Sequence, residues 1–487
     1  MKSIVKIVWL NALVLLAYSA NAQLLLPKII GHNMVLQRNQ AVPVWGNAKA
    51  GDAVTVNFHQ QTKKAIADQR GNWKLFLDKM PASSTPSDLT VAAGAQTIVL
   101  KNILVGEVWL CSGQSNMEYP MRKLIKTKMP DGVTDWPINE VAQANNSNLR
   151  IFLSERKKMN PDAWHRGWSV AADSALNTFS AVGYFFAKKL QEELKVPVGI
   201  ISASIPGSRI EPWMPVEAFT ALPFFQQQTD STHKIDGDPG KFYTTMIEPI
   251  IPFALKGFLW YQGESNCFLN ERLQYAYKMK ALMEYWRKQW GGGDNMPFYY
   301  VQIAPFAYSK SSDSVKHYTS ESLPEFWEVQ QLALALPNTG MANIIDLNTS
   351  PSNLHPVNKW DVGKRLAFCA LNKTYGFRDI TPMGPAYKSM NIKGNEIELA
   401  FDYVGKGLEA KDGKPLLGFT IAGNDGKFVP ANASVRNNKV VVSAGEIQKP
   451  MHVRFNWTEA NISNLYNMDG LPAMPFRTDN PLTTQFK

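Results

Sequence analysis

Gly106-Glu-Val-Trp-Leu-Cys-Ser-Gly-Gln-Ser-Asn-Met117 is the stretch that decides how this chain folds. The apolar run Val108 to Cys111 drops into a tight Ser-Gly-Gln-Ser-Asn turn. A sheet presents a serine hydroxyl in this way, at the end of a strand and open to attack on a substrate. The esterase pattern G-x-S-x-G is not met, because Met117 stands where its last glycine would be. The stretch therefore predicts a serine hydrolase without the common nucleophile elbow.

Downstream, strand-like runs alternate with amphipathic helices to about Phe377. Val182, Phe186, Leu190 and Leu194 recur at four-residue spacing and predict a helix over 181–195, ended by Pro197, with a buried strand at 198–202. Further strands are expected at 255–261, 298–303 and 342–345, and helices at 271–290, 325–336 and 358–371. Such alternation implies an α/β domain with a parallel sheet covered on both faces. Upstream, 24–104 reads as short strands separated by Gly46, Gly51-Asp52 and Gly71-Asn72, a small sandwich. From about Met390 β texture returns, in runs such as Ile397–Phe401 and Val440–Val442. The expected division is 23–104, 105–385 and 386–487, consistent with 487 residues being too many for one core.

Lys2 and Lys6 precede an apolar run, Ile7 to Tyr18, and Ala20-Asn-Ala22 follows. That is the layout of a secretory leader at 1–22, too short to span a bilayer, and it predicts export to the periplasm or the cell exterior. No later segment approaches a membrane span. Losing two of the lysines takes the formal charge from +10 to +8. No basic cluster with interleaved aromatics stands out, which argues against nucleic acid as a partner. The three cysteines, Cys111, Cys267 and Cys369, cannot all pair within one chain, so buried thiols are expected, with a Cys111–Cys267 bond conceivable. Metal-binding spacings and phosphate loops are absent from the sequence.

Two turns look alike, Gly113-Gln-Ser115-Asn and Gly263-Glu-Ser265-Asn, and each follows a strand-like run. Local pattern does not choose between their serines. Active sites of open α/β sheets gather at the carboxyl ends of strands, so both turns should share one rim. Of seven histidines only His355 lies just beyond a strand of the α/β region, where it could accept the hydroxyl proton. Asp346 is expected to orient its ring, although a main-chain carbonyl could do so instead. The N–H groups of Ser115 and Gly207 and the Asn266 amide make a plausible oxyanion trio.

Gly-Gln-Ser115-Asn-Met, Trp260-Tyr-Gln-Gly-Glu-Ser-Asn266 and His355-Pro-x-Asn-Lys-x-x-x-Gly-x-Arg-Leu-Ala367 together resemble the sialate O-acetylesterases, within the SGNH hydrolases. Asn33-Met-Val-Leu-Gln-Arg38 and Gly470-Leu-Pro-Ala-Met-Pro-Phe-Arg477 are similar to the same family's two ends. The resemblance implies an SGNH-type three-layer α/β/α domain flanked by β-rich regions. It also implies an acetyl-ester hydrolase acting on an acetylated sugar, without cofactor or metal. It makes Ser115 the nucleophile in preference to Ser265, His355 the base, Asn266 the third-block asparagine, and Gln114, Asn116, Glu264 and Arg209 candidate substrate contacts. In Ser204-Ile-Pro-Gly-Ser-Arg209, Pro206 replaces a family glycine beside Gly207. Ser352 stands where an aspartate commonly precedes the histidine by three residues, which leaves Asp346 as the expected third member.

O-acetylated sialic acid carries a carboxylate, for which Arg209 or Arg122 would be the guanidinium. Acetylated xylan or xyloglucan is the alternative substrate, and a non-catalytic sugar-binding protein is the alternative class.

Overall fold

The computed structural model describes residues 23–127, 136–154, 167–226, 234–311, 318–348, 350–460 and 462–486. The expected leader at 1–22 lies outside them.

The strands in the first two-thirds of the chain are β1 (Val35–Gln37), β2 (Val42–Asn47), β3 (Ala53–Phe58), β4 (Gln61–Ile66), β5 (Asn72–Leu77), β6 (Ser83–Ala93), β7 (Gln96–Gly113), β8 (Leu149–Leu153), β9 (Trp168–Val170), β10 (Val198–Ser204), β11 (Gly257–Tyr261), β12 (Phe298–Val301) and β13 (Thr339–Ala342). Along β5, buried and exposed residues alternate strictly, the mark of a sheet with one wet face. β10 and β11 are buried at every position, as expected of parallel strands covered on both sides.

The central sheet runs β13-β12-β11-β7-β10-β8-β9, parallel throughout except β9, which lies antiparallel to β8. On one face the helix Ala181–Leu194 packs along the helix Lys359–Lys373. Gly363 permits this crossing, since a Cβ there would sit 2.7 Å from both the Phe186 N and the Val182 O. Phe186 meets the edge of Trp109 on β7. On the other face the helix Leu273–Gln289 lays Trp286 against Phe258, Trp260 and Phe298. The mixed α/β architecture with a parallel sheet is the one expected.

The junction expected between 104 and 105 falls inside β7. The first half of this strand pairs with β6 in the N-terminal sheet, and its second half is the middle of the central sheet. One apolar core accordingly runs without a break from Leu24 through the α/β layers. A second core, including Ile397, Leu399, Ile421, Val440 and Val453, holds the C-terminal antiparallel sheets together. All three cysteines are buried free thiols and no Cys111–Cys267 bond forms. Burial pushes the Cys111 thiol up to about 12, so it is inert near neutral pH. No helix among the described residues is long and apolar enough to cross a membrane.

Candidate active site

β7 lies between β10 and β11, and Gly113, Ser204 and Tyr261 are in register at the carboxyl ends of the three strands. The loops that follow therefore emerge together, where the strand order changes direction. Gly113 has φ +138°, and a Cβ there would lie 2.1 Å from the Tyr261 carbonyl. Only glycine lets β7 leave the sheet this close to β11. The Gln114 N–H donates to that same carbonyl (3.0 Å), and the short helix Ser115–Glu118 begins. Ser115 is its first residue and is partly exposed.

His355 arrives on the loop that follows β13. Its Nε2 lies 2.8 Å from Ser115 Oγ, across 240 residues of sequence. No histidine is hydrogen-bonded to Ser265 among the described residues, and the Ser265 N–H donates to Gln114 Oε1 (3.3 Å). The two similar turns are thereby told apart. Burial, then the ammonium groups of Lys359 and Lys123, hold the His355 imidazole below its ordinary value. The neutral ring that can accept a proton is favoured.

Asp346 does not take the expected place. β13 ends at Ala342, and the Asp346 carboxylate is gripped at both oxygens by Arg365 (2.6 and 2.8 Å), on the helix Lys359–Lys373. Arg365 also donates to the Asn343 carbonyl (2.6 Å), so the pair pins the end of β13 to that helix. Asp346→Asn should therefore cost stability, on the order of 3–5 kcal/mol for breaking a buried ion pair. It should leave kcat within a few-fold, read by thermal unfolding beside acetate release. A triad aspartate would lose roughly 10⁴-fold in kcat.

Gly207 sits in the turn after β10, exposed, at φ +69°. Its N–H and that of Ser115 have no protein partner among the described residues. The Asn266 amide, expected beside them, turns inward. It is fully buried and donates to Glu211 (3.3 and 3.4 Å) and Glu271 (3.2 Å), which Lys278 bridges. Its Oδ1 accepts the Ile210 N–H (3.1 Å) and Gln262 Nε2 (2.7 Å), so Asn266 braces the loop that carries Gly207.

The expected substrate contacts are also placed differently. Gln114, Asn116 and Glu264 are buried, at 2, 0 and 1 % exposure, too deep to meet a sugar. Arg209 is held by Glu211 (2.6 Å) and Asp236 (2.5 Å), with Glu271 at 3.7 Å, which leaves it unsuited to a substrate carboxylate. Arg122 is exposed on the helix Met121–Lys126.

Two residues escaped sequence reasoning. Lys123, on the same helix, is exposed, lies over the Tyr119 ring (5.5 Å), and has no carboxylate partner among the described residues. Lys359 lies beneath His355, fully buried. The signal available was its fixed place in the motif His355-Pro-x-Asn-Lys359, four residues after the histidine at a helix start, to which no role was attached. No cluster of metal-binding side chains occurs among the described residues.

Residues 105–372 match the family described as carbohydrate esterases, sialic acid-specific acetylesterases. The chain is 28 % identical to the sialate O-acetylesterase of Pongo abelii, over 92 % of this chain and 91 % of that one. It is 27 % identical to the human sialate O-acetylesterase over the same shares. Among solved structures, a carbohydrate acetylesterase from Xanthomonas citri is similar at 34 % identity and a TM-score of 0.81, covering 94 % of this chain and 100 % of that one.

Proposed function

The chain belongs to the sialic acid-specific acetylesterase family of carbohydrate esterases and is a carboxylic-ester hydrolase, and from that premise we propose that it removes O-acetyl groups from sialic acids by a Ser115–His355 mechanism. Family membership sets aside the reading as a non-catalytic sugar-binding protein. The observation that carries the mechanism is the 2.8 Å hydrogen bond from Ser115 Oγ to His355 Nε2.

His355 Nε2 accepts the hydroxyl proton as Ser115 Oγ attacks the acetyl carbonyl. The oxyanion of the tetrahedral intermediate is met by the N–H groups of Ser115 and Gly207; one such donor is worth roughly 10²–10³ in rate. The C–O bond to the sugar breaks, and the sugar oxygen leaves with the proton from His355. Water, deprotonated by the same ring, then attacks the acetyl-serine and releases acetate. Export supports an extracellular or periplasmic glycan as the substrate, a reading that rests on the leader-like segment at 1–22.

The choice of sialic acid rests on the names of the mammalian relatives and on Lys123. Lys123, exposed and without a carboxylate partner among the described residues, adds to the lowering of the His355 proton affinity and can meet a substrate carboxylate at the mouth of the site. Acetate release should be faster from acetylated sialosides than from acetylated xylan. Lys123→Gln should raise KM for the sialosides about two- to fivefold, the worth of an exposed charge pair, and leave a neutral acetylated sugar unchanged. Faster release from xylan, with no effect of Lys123→Gln, would move the substrate class to neutral polysaccharides.

A further inference from the structure

A serine hydrolase needs its histidine held in one orientation, commonly by a carboxylate on Nδ1. Asp346 is committed to Arg365, and no Asp or Glu is hydrogen-bonded to His355 among the described residues. The chain instead grips the backbone on both sides of the histidine. Asn116 Nδ2 donates to the Leu354 carbonyl (3.0 Å), and Lys359 Nζ donates to the Pro356 carbonyl (2.5 Å). The two grips are joined, because Lys359 Nζ also donates to Asn116 Oδ1 (2.7 Å). Asn116 Nδ2 donates as well to Glu264 Oε1 (2.5 Å). Asn116 directly follows Ser115, so one side chain ties the nucleophile's turn to the histidine's loop.

We propose that Asn116, Lys359 and Glu264 form a buried clamp that positions His355 against Ser115, doing the orienting work of a triad carboxylate. The proposal rests on Ser115 and His355 being the reacting pair.

Simple support of a turn does not account for the charges. Lys359 and Glu264 are 0 and 1 % exposed, and Glu264 Oε2 is buried without a hydrogen-bond partner. Burying two ionisable groups is costly, burial raising the Glu264 carboxyl and lowering the Lys359 ammonium, and an apolar pair would hold a turn at less cost. The groups facing Lys359 are Glu264, the ring faces of Tyr119 (4.9 Å) and Tyr261 (5.5 Å), and the ammonium of Lys123. Burial lowers the Lys359 ammonium to about 7, against the pull of Glu264. A triad aspartate stabilises the imidazolium, whereas this clamp opposes it. Its contribution is orientation together with a neutral base.

The test is Lys359→Met in the full chain, with folding checked by circular dichroism and Ser115→Ala assayed alongside. The expected result is a loss in kcat on the order of 10- to 100-fold with KM within twofold, as for a misplaced catalytic group. The acid limb of the kcat/KM profile should also move to higher pH, because a cation beside the imidazole has gone. Should Lys359→Met not fold, Lys359→Gln, which keeps a donor and loses the charge, should shift the limb the same way. Lys359→Arg, which keeps the charge, should leave the limb in place. Wild-type kinetics in a folded variant, or a lower kcat with an unmoved limb, overturns the clamp. If Ser115→Ala is inactive in that experiment, only the clamp has failed; if Ser115→Ala is active, the reacting pair itself is wrong.

Discussion

Ser115→Ala should release no acetate above background from any acetylated sugar, a fall of roughly 10⁴- to 10⁶-fold in kcat. The fold should be unaffected. The Ser115 hydroxyl is partly exposed and bonds to His355, whereas the turn around it is held by backbone groups: the Gln114 N–H on the Tyr261 carbonyl and the Tyr119 N–H on the Ser115 carbonyl. Alanine keeps all of these. What is left after the substitution is the pair of N–H groups from positions 115 and 207, which can bind a carbonyl but cannot attack it. Ser265→Ala is the matched control and should stay within a few-fold of wild type. Acetate release at saturating substrate, with circular dichroism on each variant, checks both.

His355→Asn should fall as far as Ser115→Ala, and the double variant should fall no further, because nucleophile and base act as one unit. In the unsubstituted enzyme the pH profile reports the same ring. Activity needs the neutral imidazole, so it is lost as pH falls through the pKa of His355. Burial, with Lys359 and Lys123, lowers that pKa, so the acid limb of kcat/KM should lie below the ordinary imidazole value of about 6.5. A limb above that value would mean that the base is held by a carboxylate.

Much of this was legible in the sequence, for physical reasons. The helix Ala181–Leu194 announced itself by four-residue apolar spacing, and β10 and β11 by unbroken apolar runs, because both signals are set by local burial. A strand-end turn and a loop after a strand share one rim of a parallel sheet, which is why Ser115 and His355 lie within hydrogen-bond reach, whereas the preference for Ser115 over the similar turn at Ser265 came from the family resemblance and not from local pattern. Asp346 was expected to orient the ring from the end of a strand at the same rim, but the strand stops at Ala342 and a place near the rim carries no side-chain direction, so Arg365, nineteen residues further on, claims it. Asn266 misled in the same way: its motif gives a residue type, while the carboxylates of Glu211 and Glu271 decide where the amide points. The N-terminal boundary was missed because β7 is one strand serving two sheets, and the turn chemistry on which boundaries are read is absent inside it. Lys359 was passed over because a lysine at a helix start is ordinarily solvated.

The central claim, that Ser115 is made nucleophilic by His355, is tested most directly by trapping. The protein would be treated with a serine-directed fluorophosphonate and its peptides mapped by mass spectrometry. A single adduct on Ser115, absent from His355→Asn, is the predicted result. An adduct on Ser265, or equal labelling of Ser115 with and without the histidine, would contradict it.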